Sequence, residues 1–349
     1  MAKVVRNADE LRAGMVLASD LLDESGRRLL AGGTVLTPSN VRRIRVSLVN
    51  APKVFIETKS EADQTPREER VARLITASCT LEETMLALHQ GHKVDFEAVE
   101  QAVADIVLGE KAEIGIWELL ESAFEQDRFL YEHGVAVAGI ASVIARWRGL
   151  SSDEILAVSL AGYLHDIGFS EDPESMSRQL LLTEPDDRRV REHPTTGVDL
   201  VRRYGFLGSD VLRAIAEHHE RNDGSGYPKG LQEDEISIYA HVVAVSDEFH
   251  RRTAVETVDG SCFLLRTLDG LYRLAPTKLE TISVKALLDS LLPFFRGREV
   301  VLSTGERAKI VYIEPDSPCQ PIVATGQGPV DLKQDSGITI KHILPQQTR

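Results

Sequence analysis

From about Val71 to Phe295 apolar residues recur at three- and four-residue spacing with few strand-like alternations, which predicts a long helical region. On either side the pattern changes. Residues 1 to about 60 alternate short apolar stretches with glycine-rich turns: Gly14-Met-Val-Leu-Ala, Arg28-Leu-Leu-Ala-Gly-Gly-Thr-Val-Leu and Lys53-Val-Phe-Ile-Glu. This predicts a small strand-rich module, with a short helix over Pro38 to Val49 that has Pro near its first turn. Glu57 to Arg70 is polar without apolar periodicity and reads as a linker. After Arg296 come Glu299-Val-Val-Leu, a Ser-Thr-Gly-Glu turn, Ala308-Lys-Ile-Val-Tyr-Ile and Gly337-Ile-Thr-Ile-Lys-His-Ile-Leu, the pattern of a second small β module. The expected fold class is mainly α, an all-helical core flanked by small β-rich N-terminal and C-terminal modules. Its expected parts are residues 1–60, a linker with connecting helices over 61–116, a helical domain over 117–295, and 296–349.

Five histidines of the helical region, His133, His165, His193, His218 and His219, are accompanied there by Asp166 and Asp247. Their positions carry the information. His133 continues to Val137, Ile140 and Ile144, a spacing that puts its ring on the apolar stripe. Ile236, Ala240 and Val243 lead to Asp247 in the same way, so a carboxylate points inward, which is costly if it is alone. Val211 and Ile215 lead to His218, and His219 shares a face with Leu212 and Ile215. A helix opening with the capping-box pattern Ser151-Ser-Asp-Glu154 runs to His165-Asp166.

Taken singly, each feature has an ordinary explanation. A His on an apolar face is more often a hydrogen-bonded core residue than a ligand, and an inward Asp is usually a cap or half of an ion pair. Two His-containing dipeptides, further His and an Asp at inward or helix-end positions of one region point instead to a metal centre. Imidazole and carboxylate together suit Mn, Fe, Zn or Ni. An Asp beside a His can bridge two ions, and two cations roughly 3.5 to 4 Å apart would clamp the oxygens of an in-line displacement at phosphorus. His89, His92, His241, His250 and His342 lack such a pattern and are expected to be structural or exposed.

Composition narrows the classes. Forty Lys plus Arg against fifty-four Asp plus Glu leave a formal charge of -14, which repels polyanions and argues against general nucleic-acid binding. No apolar run approaches the roughly 18 residues of a membrane span, and the first residues lack a signal-peptide core, so a cytoplasmic protein is expected. Cys79, Cys262 and Cys319 form no CxxC pair, which disfavours a zinc ribbon or a disulfide framework. The chemistry therefore falls to His, Asp and Glu.

Tyr131-Glu-His133, His165-Asp166-Ile-Gly168, His193-Pro-Thr-Thr-Gly197, His218-His-Glu-Arg-Asn-Asp-Gly-Ser-Gly-Tyr-Pro228 and Ala244-Val-Ser-Asp247 resemble the HD-GYP family. This is the branch of the HD phosphohydrolase superfamily whose members hydrolyse the bacterial second messenger cyclic di-GMP. The resemblance covers about Glu121 to Phe295. It implies that His133, His165 and Asp247 bind one metal, that His193, His218 and His219 bind another, and that Asp166 bridges them, with Asp166 and His165 as catalytic residues. The implied cofactors are two divalent transition-metal ions, Fe or Mn, because Phe129 stands where members with a third metal have a Glu. The implied reaction is hydrolysis of cyclic di-GMP to linear pGpG and/or GMP by a hydroxide bridging the ions.

In the same resemblance Asp223, Gly224, Gly226, Tyr227 and Pro228 form the signature loop and, with Arg251 and Arg252, are the expected substrate-binding residues. The implied partners are cyclic di-GMP or a related nucleotide, with the signature loop open to a signalling protein and the chain to homodimerisation. The N-terminal module resembles the small domain often found ahead of such cores, and the tail resembles a small β barrel that follows some of them. Departures from the family pattern leave alternatives open. Phe169 replaces a Lys that can contact substrate phosphate, Glu248-Phe-His-Arg-Arg-Thr replaces an Asp-Ala-Leu segment followed by basic residues, and no Pro-Gly stretch lies between His165 and His193. A catalytically weak or inactive member acting as a cyclic di-GMP receptor or interaction module, and a hydrolase of another phosphoester, are the competing readings.

Overall fold

The computed structural model describes residues 2–6, 11, 15–22, 28–34, 36, 40, 44, 54–58, 66–108, 129–170, 188–204, 207–256, 263–335 and 337–344. Near the N-terminus, β1 (Ala2–Arg6), β5 (Val54–Thr58) and β2 (Val16–Leu17) form an antiparallel sheet in that order, with Val4 opposite Ile56. The short strands β3 (Leu21–Leu22) and β4 (Arg28–Leu30) pair beside it. Leu11, Leu17, Leu21, Leu36 and Ile44 make a small core separate from that of the helices. Of the helix expected over Pro38 to Val49, only Asn40 and Ile44 lie within the described residues, and both are helical and buried.

The expected linker is shorter than its polarity suggested. Glu57 and Thr58 belong to β5, and helix α1 (Pro66–His89) already starts at Pro66. Proline presets the first-turn dihedral, and Arg and Glu are strong helix formers, so a helix begins here ahead of the apolar pattern. Helix α2 (Phe96–Val107) follows, capped by Asp95, whose side chain accepts from the Ala98 amide at 3.2 Å.

The centre is α3 (Phe129–Trp147), buried from Phe129 to Ala145 at every position except Glu132. A helix apolar all round is an interior helix. Its neighbours include α1, α4 (Ser152–Leu164), α7 (Ile238–Glu256) and α9 (Thr281–Leu291). Helix α4 opens with the expected capping box: Glu154 accepts from the Ser151 amide at 2.8 Å, and its own amide reaches the Ser151 hydroxyl. Helices α5 (Arg188–Tyr204), α6 (Ser209–Glu217) and α8 (Phe263–Leu274) complete the described helical layer.

Five strands, β6 (Glu299–Leu302), β7 (Arg307–Tyr312), β8 (Ile322–Thr325), β9 (Gly328–Asp331) and β10 (Ile340–Ile343), form an antiparallel sheet in the order β10-β6-β7-β8-β9. In β7, Ala308 and Ile310 are buried between exposed Arg307 and Lys309, the period of two of a half-buried strand. Val300, Leu302, Ala308, Ile310 and Val323 extend the same core that the helices build. Among the described residues no helix is long and apolar enough to cross a membrane.

Candidate metal centre

Helix geometry delivers seven side chains to one point. His133 lies one turn into α3, His165 caps the C-terminus of α4, and Asp166 leads into a 3-10 turn over Ile167–Phe169. His193 lies in the second turn of α5, His218 caps α6 with His219 directly after it, and Asp247 is mid-way along α7. None of the seven is more than 6% exposed. The turn after Asp166 presses directly on α5: a Cβ at Gly168 would fall 2.1 Å from the His193 carbonyl oxygen, so this position admits only glycine.

The Asp166 carboxylate stands between two groups of imidazoles. Its Oδ2 lies 3.2 Å from His165 Nε2 and 3.9 Å from His133 Nε2, while its Oδ1 lies 3.1 Å from His193 Nε2. His193 Nε2 is in turn 3.1 Å from His218 Nε2, and the ligand atoms of Asp166, His193, His218 and His219 converge within 4.8 Å of one another, as do those of His133, His165 and Asp166. Asp247 closes the first group, with Oδ1 3.0 Å from His133 Nε2 and 4.0 Å from His165 Nε2.

Three of the rings are held from behind in the same way. The Nδ1 atoms of His165, His193 and His218 face the carbonyls of Gly162, Val190 and Ile215, each three residues earlier, at 2.7, 2.7 and 2.8 Å. A carbonyl can only accept, so each Nδ1 carries the proton and each Nε2 turns a lone pair to the centre. His165 Nε2 is buried without a hydrogen-bond partner among the described residues. Lone pairs converging on buried carboxylates, with one nitrogen left orphaned, fit divalent cations, and the nitrogen and oxygen donors suit the Mn, Fe, Zn and Ni class.

Electrostatics agree with this arrangement. Burial opposes the charge on Asp166, but the His165 and His193 imidazoles outweigh it and hold its carboxyl well below the usual range. Asp247 is likewise lowered, burial being overcome by Arg251 and His133. Burial pushes His165 down, yet Asp166 and Asp247 carry it above its ordinary value. His218 and His219 are well below theirs, first by burial and then by neighbouring imidazoles.

The surroundings explain the rest of the motif. Phe169 is buried and packs against His193, ring centroids 4.1 Å apart. Phe129 stacks on His133 at 5.1 Å and 15°. In the signature loop, Glu220 accepts from the amides of Lys229 (2.7 Å) and Leu231 (2.9 Å), folding the chain back over the His218-His219 turn. A Cβ at Gly226 would meet Glu220 Cα at 2.4 Å, so the close approach requires glycine. Tyr227 stacks on His219 at 4.6 Å, and the Arg191 guanidinium lies 5.4 Å from the Tyr227 ring centre. Asp223 is exposed and accepts from the Ser225 amide at 2.9 Å, a local turn bond, with Gly224 beside it at φ 74°. Pro228 is exposed.

Of the two arginines, only Arg251 joins the centre, with Nη2 2.7 Å from Asp247 Oδ2. Arg252 pairs with Glu248 at 2.7 Å and lies against Gly270 of α8. Sequence reasoning gave Arg191 no role and expected His250 to be structural or exposed. Arg191 sits beside Tyr227, and His250 is fully buried with Nδ1 2.8 Å from His133 Nδ1. The signal for His250 was present: it follows Asp247 by three residues on α7, hence on the same face. The segment 171–187, where the Pro-Gly stretch is missing, lies outside the described residues.

Residues 119–268 match the family model described as HD domain. The chain is 35% identical over 129 residues to "Cyclic di-GMP phosphodiesterase PA4108" of Pseudomonas aeruginosa, covering 37% of this chain and 31% of that protein. It is 34% identical over 140 residues to "Cyclic di-GMP phosphodiesterase" of Thermotoga maritima (38% and 37%) and 31% identical over 140 residues to "3'3'-cGAMP-specific phosphodiesterase 1" of Vibrio cholerae (40% and 32%). The matches thus span about a third of each curated relative's length. In fold, the chain is similar to "Bd1817, a HDG"Y"P protein from Bdellovibrio bacteriovorus", with a TM-score of 0.57 at 17% identity over 83% of this chain and 99% of that one. The helical segment that carries this His and Asp cluster therefore matches the HD domain family and is similar in sequence to proteins named as cyclic dinucleotide phosphodiesterases.

Proposed function

We propose that this chain is a metal-dependent phosphodiesterase that opens cyclic di-GMP, giving linear pGpG and/or GMP. One observation carries the reading: the two oxygens of Asp166 are divided between two groups of inward imidazoles. Two divalent cations, Fe or Mn, would be held by His133, His165 and Asp247 on one side and by His193, His218 and His219 on the other, with Asp166 between them. Bound there, they supply Lewis-acid polarisation of a phosphoryl oxygen and activation of water. The names of the relatives support a cyclic dinucleotide as substrate, cyclic di-GMP ahead of 3'3'-cGAMP.

The chain's own residues contribute orientation and charge. Backbone carbonyls fix the tautomers of His165, His193 and His218. Arg251, 26% exposed at its side chain, offers a cation from the buried Asp247 carboxylate outward and is the residue to meet substrate phosphate. Phe169 cannot donate a proton, so the proton for the departing 3′ oxygen comes from water or another side chain. The signature loop, through Tyr227, stacks on His219 beside the same centre.

A receptor that binds the nucleotide without turning it over is the second reading, favoured by the apolar Phe169 ring against His193. One assay separates them. Protein loaded with Mn2+ or Fe2+ is incubated with cyclic di-GMP and, in parallel, with 3'3'-cGAMP, and products are resolved chromatographically. The expected result is conversion of cyclic di-GMP to pGpG or GMP. Binding without product in either arm would establish the receptor reading instead.

A further inference from the structure

The His133–His250 contact has a hydrogen count that fixes what it can do. At 2.8 Å, two ring nitrogens share one hydrogen. If His250 donates it, neutral His133 keeps its own proton on Nε2 and gives it to Asp247 Oδ1, 3.0 Å away. If His133 donates it, His133 Nε2 is bare and its lone pair points at Asp247 and His165. Only the second arrangement accepts a cation at that nitrogen. His133 also differs from the other three inward rings described above, because a ring nitrogen, able to donate or accept, stands where they have an obligate carbonyl acceptor.

We propose that His250 is a positioning residue that accepts the Nδ1 proton of His133 and thereby directs the His133 Nε2 lone pair into the metal centre. The proposal rests on the two-ion reading above. Phe129 and α7 hold the pair in place: the Phe129 ring stacks on both imidazoles, 5.1 Å from His133 and 5.9 Å from His250, at interplanar angles of 15° and 24°. His250 and Asp247, three residues apart on α7, then address opposite nitrogens of one ring, Nδ1 and Nε2. Partners behind a metal-binding imidazole set its tautomer and basicity, and their loss typically weakens metal binding about 10- to 100-fold.

The test is titration of chelator-treated protein with Co2+, following the visible absorption of the bound ion and its stoichiometry, for wild type, His250→Leu and His250→Asn. Leucine removes the acceptor, and asparagine restores a carbonyl oxygen without charge. The expected result is that His250→Leu weakens one of two ions about 10- to 100-fold, leaves the other unchanged, and that His250→Asn recovers most of the loss. Two ions binding to His250→Leu as to wild type would overturn the proposal. So would equal weakening in the Leu and Asn variants, which a merely space-filling role predicts, or loss of both ions together. Wild-type protein that binds no Co2+ would overturn the metal reading itself, an outcome distinguishable from all of these.

Discussion

The two halves of the centre are built from different materials. The half around His133, His165 and Asp247 rises from long interior helices, and its carboxylate is tied to Arg251 on one side and His133 on the other. The half around His193, His218 and His219 joins the second turn of α5 to the C-terminus of α6 under a glycine-containing loop, where three imidazoles share the single carboxylate Asp166 and Tyr227 covers His219. The first half is rich in charge and the second in neutral nitrogen.

The largest expected effect removes the shared element. Asp166→Ala should leave neither half with a full ligand set, so elemental analysis should find less than one ion per chain and the phosphodiesterase assay no product. Next, Asp247→Ala and His219→Ala should each lower the metal content by about one ion, from opposite halves. If either variant empties both halves, the division between them is wrong.

Acidity should separate the halves further. In the metal-free protein His133, His218, His219 and His250 lie below the ordinary imidazole value, burial being the first cause in each. Such rings bind fewer protons folded than unfolded, so their contribution is present above about pH 6.5 and is lost as the pH falls below it. His165, raised by Asp166 and Asp247, works the other way: its contribution is complete below about 6.5 and fades as the pH rises through its folded value. The lowered rings outnumber it, so the melting temperature of chelator-treated protein should fall between pH 7.5 and 5.5. The scale is on the order of 1.4 kcal/mol per imidazole and pH unit. His219→Gln should flatten this dependence and His165→Gln should steepen it.

The smallest effect concerns the Phe169 ring packed against His193. Phe169→Leu keeps an apolar side chain against His193 and should cost less than about 1.5 kcal/mol, with metal content unchanged. A drop in bound metal on melting-curve-matched samples would mean that Phe169 orients His193 rather than merely covering it.

How much of this was legible in the chain differs by element. His133 and Asp247 could be read because each extends an apolar stripe at helical spacing, and the capping box at Ser151 placed the start of α4 correctly. Asp166 was expected between two groups, from its place beside His165 and from the resemblance, and its two oxygens lie against His165 and His193; the tight seating of Gly168 against α5 could not be read. Arg251 and Arg252 look equivalent as neighbours in sequence, yet one meets Asp247 and the other Glu248, since adjacent helical residues point about 100° apart. His250 was expected to be structural or exposed because its partner His133 lies 117 residues away, so the three-residue spacing from Asp247 alone did not single it out.

The central claim, one carboxylate shared by two ion sites, is tested most directly by the transition-metal content of wild-type protein purified without chelators. Two ions per chain is the predicted result. A fully folded preparation that holds no transition metal, and takes none up when Mn2+ or Fe2+ is supplied, would contradict it.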